Sequence, residues 1–187
     1  MPSLPIGKNQ QQERVFQQTG PEDWGSFPGA STPRSPVLAL VGFVGLTLLV
    51  AATGGAVTAG SVHTWYATLA APPGTPPNWM FAPVWTALYV MIGVAGWLVW
   101  QRSGPSRGLL LWGWQLAANA LWTPAFFGLH SPLLALCVMA VLLVLTVMTI
   151  ARFRRVRRPA AWLMLPYLAW CCYAAYLNAG FWWLNAA

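Results

Sequence analysis

At 187 residues the chain has room for one domain, and 57% of its residues are hydrophobic while only 7% are charged, far below the roughly 25% charge of soluble domains. That composition excludes an ordinary soluble globule and points to an all-α integral membrane protein. The formal charge of +7 is no nucleic-acid footprint either, because Glu13, Glu22 and Asp23 are the only acids and residues 24–187 contain no Asp or Glu, which removes paired-carboxylate catalysis and an acidic cation relay from the membrane domain.

Residues 1–36 are polar, rich in Gln, Pro, Gly and Ser, and have no apolar run that would serve as a signal peptide; they read as a disordered tail. The membrane domain then occupies 37–187. Its first helix is expected over about 37–62, where Gly42, Gly45, Gly54, Gly55 and Gly60 would let neighbouring helices approach and the Gly54–Gly55 pair would open a groove wall for a flat ligand. His63 reads as an interfacial polar residue. A proline-rich loop follows, with Pro72, Pro73, Gly74, Pro76 and Pro77 inside six residues; no helix interior tolerates that. With Trp79 at the water–lipid boundary, the loop reads as a stiff lid.

The second helix, about 80–101, includes 20 uncharged residues from Phe81 to Trp100, enough to cross a hydrocarbon core, with Pro83 in its first turn. Trp85, Tyr89 and Ile92 share one face. The third helix, about 108–128, aligns Gln115, Asn119 and Trp122; amides in a membrane helix need partners in the protein interior. Gly113 and Ala117 offer a small-xxx-small edge on it. The fourth, about 132–152, is aliphatic and reads as lipid-facing scaffold. The fifth, about 160–184, carries Tyr167, Cys171, Ala174 and Asn178 as one stripe of modest polarity facing the interior. Cys137, Cys171 and Cys172 have no metal spacing and read as packing residues; no metal site is expected.

Five helices alternate the loops between two sides. The tail, the 101–107 loop and the 152–158 loop hold all ten basic residues, and the other side holds none. The positive-inside rule then places the N-terminus in the cytoplasm. The expected location is a bacterial cell membrane, or an organellar membrane in a eukaryote.

WYATL at Trp65–Leu69, PVWTALY at Pro83–Tyr89, QLAANALWTPAFFG at Gln115–Gly128 and LPYLAW…LNAGFWWLN at Leu165–Asn185 resemble, in order and spacing, the TspO/MBR family of translocator proteins and tryptophan-rich sensory proteins. The resemblance covers roughly residues 37–187. It implies a receptor or carrier for flat hydrophobic ligands, chiefly tetrapyrroles such as protoporphyrin IX and haem precursors, together with sterols and benzodiazepine-type drugs. Trp85 would line the cavity, with Phe81, Tyr89, Asn119, Trp122, Tyr167, Cys171, Asn178 and Gly55 contacting the ligand or bracing the walls. Pro72, Pro76, Pro77 and Trp79 would form the lid. No cofactor is required beyond the tetrapyrrole as ligand, and membrane lipid and a homodimer partner through the third helix complete the implied associations.

The sequence departs from the family pattern in the loop, where Ala71 and Gly74 replace the usual Lys and Trp and so remove a cation and a stacking ring. Some bacterial relatives degrade porphyrin in light with two pocket tryptophans; Trp85 matches one, and the other aligns near Phe153. The cholesterol pattern is absent, since no basic residue follows Arg158. Two other classes stay open: a light- or oxygen-dependent porphyrin-degrading enzyme, and a membrane scaffold without a ligand.

Overall fold

A computed structural model describes residues 35–186; the expected tail therefore lies outside the described residues, apart from Ser35 and Pro36, which open the first helix. The described chain is helical: α1 (Pro36–Ser61), α2 (Trp65–Thr68), α3 (Asn78–Ser103), α4 (Arg107–Thr123), α5 (Pro132–Val156), α6 (Arg158–Leu163) and α7 (Leu165–Leu184). A π-helical turn, Pro124–Gly128, prolongs α4. No strand occurs among the described residues. Four helices are long and apolar enough to cross a membrane: α1, α3, α5 and the joined α6–α7 run from Arg158 to Leu184.

The ends follow local chemistry. Ser106 and Ser131 cap α4 and α5, accepting from the backbone N–H of Leu109 and Leu134. Gly104, at φ 58°, stops α3 in a left-handed conformation that suits glycine. Three prolines change the local structure expected from the sequence. Because α3 begins at Asn78, Pro83 lies inside the helix rather than in its first turn, and the bond that would reach back to Trp79 is missing. Pro124 cannot donate to Ala120, so the helix widens, and Leu129 N–H reaches the Pro124 carbonyl at 2.8 Å. Pro166 likewise interrupts the last segment, which breaks at Met164 instead of running unbroken from 160.

α1 crosses α3 at Gly93 and Gly96. A Cβ on Gly93 would stand 2.8 Å from the Val44 Cα, and one on Gly96 would stand 2.8 Å from the Trp112 ring. Only these two bare positions let α1 and the indole of α4 seat against α3, and Trp112 Nε1 then donates to the Ile92 carbonyl at 3.0 Å. The glycines expected to do this on α1 do not. A Cβ on Gly42, Gly45, Gly55 or Gly60 would meet nothing within 4 Å, and only Gly54 has a neighbour, Thr123 Oγ1 at 3.3 Å. The expectation that α5 is only scaffold is also corrected. Ala135, Met139, Leu142, Thr146, Thr149 and Phe153 are buried, a repeat of four and three that packs into the bundle, while Val141, Val144 and Val147 face outward.

Hydrogen bonds and contacts define two ends. At one, Trp97 Nε1 donates to the Pro36 carbonyl at 2.9 Å and Arg157 reaches Gln101 at 3.4 Å. At the other, Ser61 Oγ donates to the Phe127 carbonyl at 2.6 Å, and the 70–74 loop lies on the end of α7. Charge segregates with the ends: the arginines of residues 102–158 sit at the first.

Candidate functional site

The polar side chains that α3, α4 and α7 carry into the bundle find one another. Tyr89 donates its hydroxyl to Asn119 Oδ1, and Asn119 Nδ2 donates to the Tyr167 hydroxyl at 2.9 Å. One amide thus ties three helices together in a region with no water to substitute. A turn further along, Trp122 Nε1 donates to Asn178 Oδ1 at 3.0 Å, and Asn178 Nδ2 donates to the Pro132 carbonyl at 2.7 Å. Tyr89, Asn119, Tyr167 and Asn178 are all buried.

An aromatic wall rises from this lattice. Trp85 stands 5.6 Å from Tyr89 and 6.4 Å from Tyr167 by ring centroids, and its ring meets Trp170 edge-on at 6.3 Å and 90°. Phe81, one turn earlier on α3, packs on Trp170 at 6.1 Å. Trp170 continues to Tyr173 at 5.6 Å, and Tyr173 stacks on Tyr176 at 6.4 Å. Phe81, Trp85 and Trp170 are half-buried, so the wall has one open side, and it combines flat apolar faces with a hydroxyl–amide floor. Such a surface suits a planar hydrophobic molecule carrying few polar groups. Trp170 Nε1 is buried without a hydrogen-bond partner among the described residues.

The loop is fastened to the same helix. Tyr173 donates its hydroxyl to the Gly74 carbonyl, and Tyr176 donates to the Pro73 carbonyl at 3.0 Å. Asn185 accepts from Ala70 N–H at 2.9 Å and donates to the Ala70 carbonyl at 3.0 Å. Pro72 is buried where a Cβ on Gly180 would come within 2.5 Å of it. Gly74, at φ 83°, makes the turn, a conformation that a tryptophan at that position would strain. Below the loop, an open apolar cleft of about 420 Å³ runs between Pro72, Pro73, Tyr176, Gly180, Trp182 and Trp183.

Of the residues singled out from sequence, Phe81, Trp85, Tyr89, Asn119, Tyr167 and Cys171 come together, and Trp122 and Asn178 pair one turn away. Gly55 does not join them; it is exposed, and Gly54 makes the protein contact instead. Pro72 is the buried residue of the loop, seated against Gly180, whereas Pro77 precedes α3 in an extended conformation and Trp79, 71% exposed, points away from the bundle. Gln115, expected to bond across helices like Asn119, is fully buried with neither amide atom paired among the described residues. Cys171 packs, but Cys137 and Cys172 are exposed. Phe153 lies at the arginine-rich end against Gly108, far in the fold from Trp85; the indole beside Trp85 is Trp170. Trp170, Tyr173 and Tyr176 were not expected from the sequence, although their three-residue spacing from Tyr167 marks an aromatic stripe beside the polar one.

The described residues bring together no group of three His, Cys, Asp or Glu side chains. At the loop end, Trp65 stacks on His130 at 4.5 Å, and Tyr66 packs against Phe127 and Phe181, where burial pushes its phenol above the usual range.

Apolar helices with polar and aromatic side chains turned inward define an all-helical integral membrane protein. Residues 43–184 match the TspO/MBR family, and the chain belongs to that family. It is similar to the tryptophan-rich protein TspO of Archaeoglobus fulgidus, 38% identical over 152 residues, which span 80% of this chain and 99% of that protein. The translocator protein of Bos taurus is 36% identical over 152 residues, 79% of this chain and 90% of the relative. The tryptophan-rich sensory protein of Cereibacter sphaeroides is 38% identical over 136 residues, 71% and 85% of the two chains.

Proposed function

We propose that this protein is a membrane receptor or carrier for flat hydrophobic ligands, foremost tetrapyrroles such as protoporphyrin IX, with a regulatory or transport output. The observation that carries the reading is the half-buried wall of Phe81, Trp85 and Trp170 standing on the Tyr89–Asn119–Tyr167 hydrogen bonds. Ring faces would stack on the ligand, and the buried hydroxyl–amide bonds beneath would hold those rings in place. The names of the relatives, translocator and tryptophan-rich sensory protein, agree with either output.

In this reading the 70–77 loop is the lid, hinged by its bonds to α7. α4 with its π turn is the fifth span, the arginine-rich end faces the cytoplasm of a bacterial cell, and a second copy docks along the Gly113–Ala117 edge of α4. A second reading, light-dependent porphyrin breakdown, is favoured by one specific observation: two tryptophans, Trp85 and Trp170, meet edge-on at 6.3 Å, close enough for both to flank one porphyrin.

The test is a dark titration of the purified protein with protoporphyrin IX, read by tryptophan quenching. Saturable one-site quenching that weakens in Trp85→Ala and Trp122→Ala is expected. Linear quenching unaffected by either substitution would mean partition into detergent and would overturn the ligand assignment. Illumination of the saturated complex then asks for a new product absorbance band, which the second reading requires.

A further inference from the structure

We propose that the arginine-rich end of the bundle binds anionic phospholipid headgroups, a role that goes beyond the ligand reading and does not depend on it. Five arginines fall between Arg152 and Arg158, and Arg102 and Arg107 flank the α3–α4 turn; all seven are exposed. They form one surface. Arg157 Nη1 donates to Gln101 Oε1 at 3.4 Å across the two loops, and a Cβ on Gly108 would lie 3.7 Å from the Arg152 Cβ.

The described residues offer this surface no carboxylate side chain. Residues 24–187 contain no Asp or Glu, and the three acids of residues 1–34 are accompanied there by Lys8, Arg14 and Arg34, so that segment brings no net anion. Seven like charges held together need compensation from outside the protein. The side-chain type narrows the choice. Lysine would satisfy the positive-inside rule equally well, yet every one of the seven is arginine, whose planar fork pairs with phosphate through two parallel hydrogen bonds.

Depth in the fold then selects lipid over a free anion. The arginines begin where the apolar stretches of α3, α5 and α6–α7 end. Trp162, one turn from Arg158 on α6, is 64% exposed, and Trp97 holds the start of α1 at the same end. Tryptophan beside arginine at the end of apolar spans is the pattern of the headgroup layer.

The experiment reconstitutes the full chain in nanodiscs of phosphatidylglycerol and phosphatidylcholine in equal amounts, re-extracts it in mild detergent and weighs the retained lipids by native mass spectrometry. Phosphatidylglycerol should exceed phosphatidylcholine by roughly fivefold or more, and high salt should reduce that excess. The combined change R102Q, R107Q, R154Q and R155Q should bring the ratio close to parity. Changing the same four positions to lysine, which keeps charge and topology, should lower the excess about twofold while leaving it measurable; this variant carries the test if the glutamine protein does not assemble. Parity in the unmodified protein, or an excess unchanged in the substituted proteins, would overturn the proposal. So would displacement by millimolar inorganic phosphate as effective as added phosphatidylglycerol, which would make the ligand a free anion. None of these readouts involves a porphyrin, so failure here is distinct from failure of the ligand reading.

Discussion

Two tryptophan-rich regions lie within a few turns of each other on α7, and they are built differently. The inner one sets Trp85 and Trp170 over a floor of hydrogen-bonded Tyr89, Asn119 and Tyr167. The outer one is the open cleft under the loop, edged by Trp182 and Trp183, with Trp183 77% exposed. Both are aromatic and both are large enough to touch a ligand. The difference is that the inner rings pack on tyrosines tied by hydrogen bonds that water cannot replace in a membrane, whereas the outer indoles are exposed, as amphipathic rings near a membrane boundary commonly are for reasons of solvation alone. Aromatic content therefore does not distinguish the two regions; fixed geometry does.

That contrast breaks first at Trp85. Trp85→Ala should weaken protoporphyrin IX binding about 30-fold, the effect of removing one ring that carries about 2 kcal/mol of contact, as read by dark titration. Asn119→Leu comes next: both tyrosine hydroxyls lose their partner, and thermal unfolding in detergent should show about 1–2 kcal/mol of lost stability. If stability holds, the floor is not what orders the inner wall. Asn185→Ala should act through the loop. It removes both bonds to Ala70 and one to the Phe181 carbonyl, so amide exchange at Ala70 should accelerate roughly tenfold while affinity falls only a few-fold. Trp183→Ala should change affinity less than about twofold, the smallest effect of the set; a loss matching that of Trp85→Ala would move the site to the outer cleft.

Much of the inner wall is legible in the sequence. Asn119, Tyr89 and Tyr167 are polar groups in apolar helices, and apolar surroundings leave such groups only each other. Trp170 is harder to find because it sits one position from Cys171, on the edge of the polar stripe, where helical periodicity separates neighbours poorly. The loop's anchors, Tyr173, Tyr176 and Asn185, are long-range partners about a hundred residues from the carbonyls and amide they hold, and no local pattern announces them.

The glycines mislead for a reason particular to membranes. Lipid tails are as apolar as leucine, so a small residue on a membrane helix serves a protein contact or a lipid contact without changing the composition of the helix. On α1 most of them face away from the bundle, and the close approach is made by Gly93 and Gly96 on α3. The π turn has a plainer origin, since Pro124 deletes a helical donor, but whether a helix ends or widens at such a proline is decided by its neighbours. Here Ser61, bonded to the Phe127 carbonyl, holds the widened turn against α1.

The most direct test of the inner wall as the ligand site uses the ligand's own photochemistry. An equimolar complex of the protein with protoporphyrin IX would be illuminated briefly, and tryptophan oxidation followed peptide by peptide with mass spectrometry at early times. A porphyrin seated on the inner wall predicts that oxidation appears first in the peptides holding Trp85 and Trp170 and trails in those holding Trp182 and Trp183. Oxidation that begins at Trp182 and Trp183, or that rises evenly across all exposed indoles, would contradict the account.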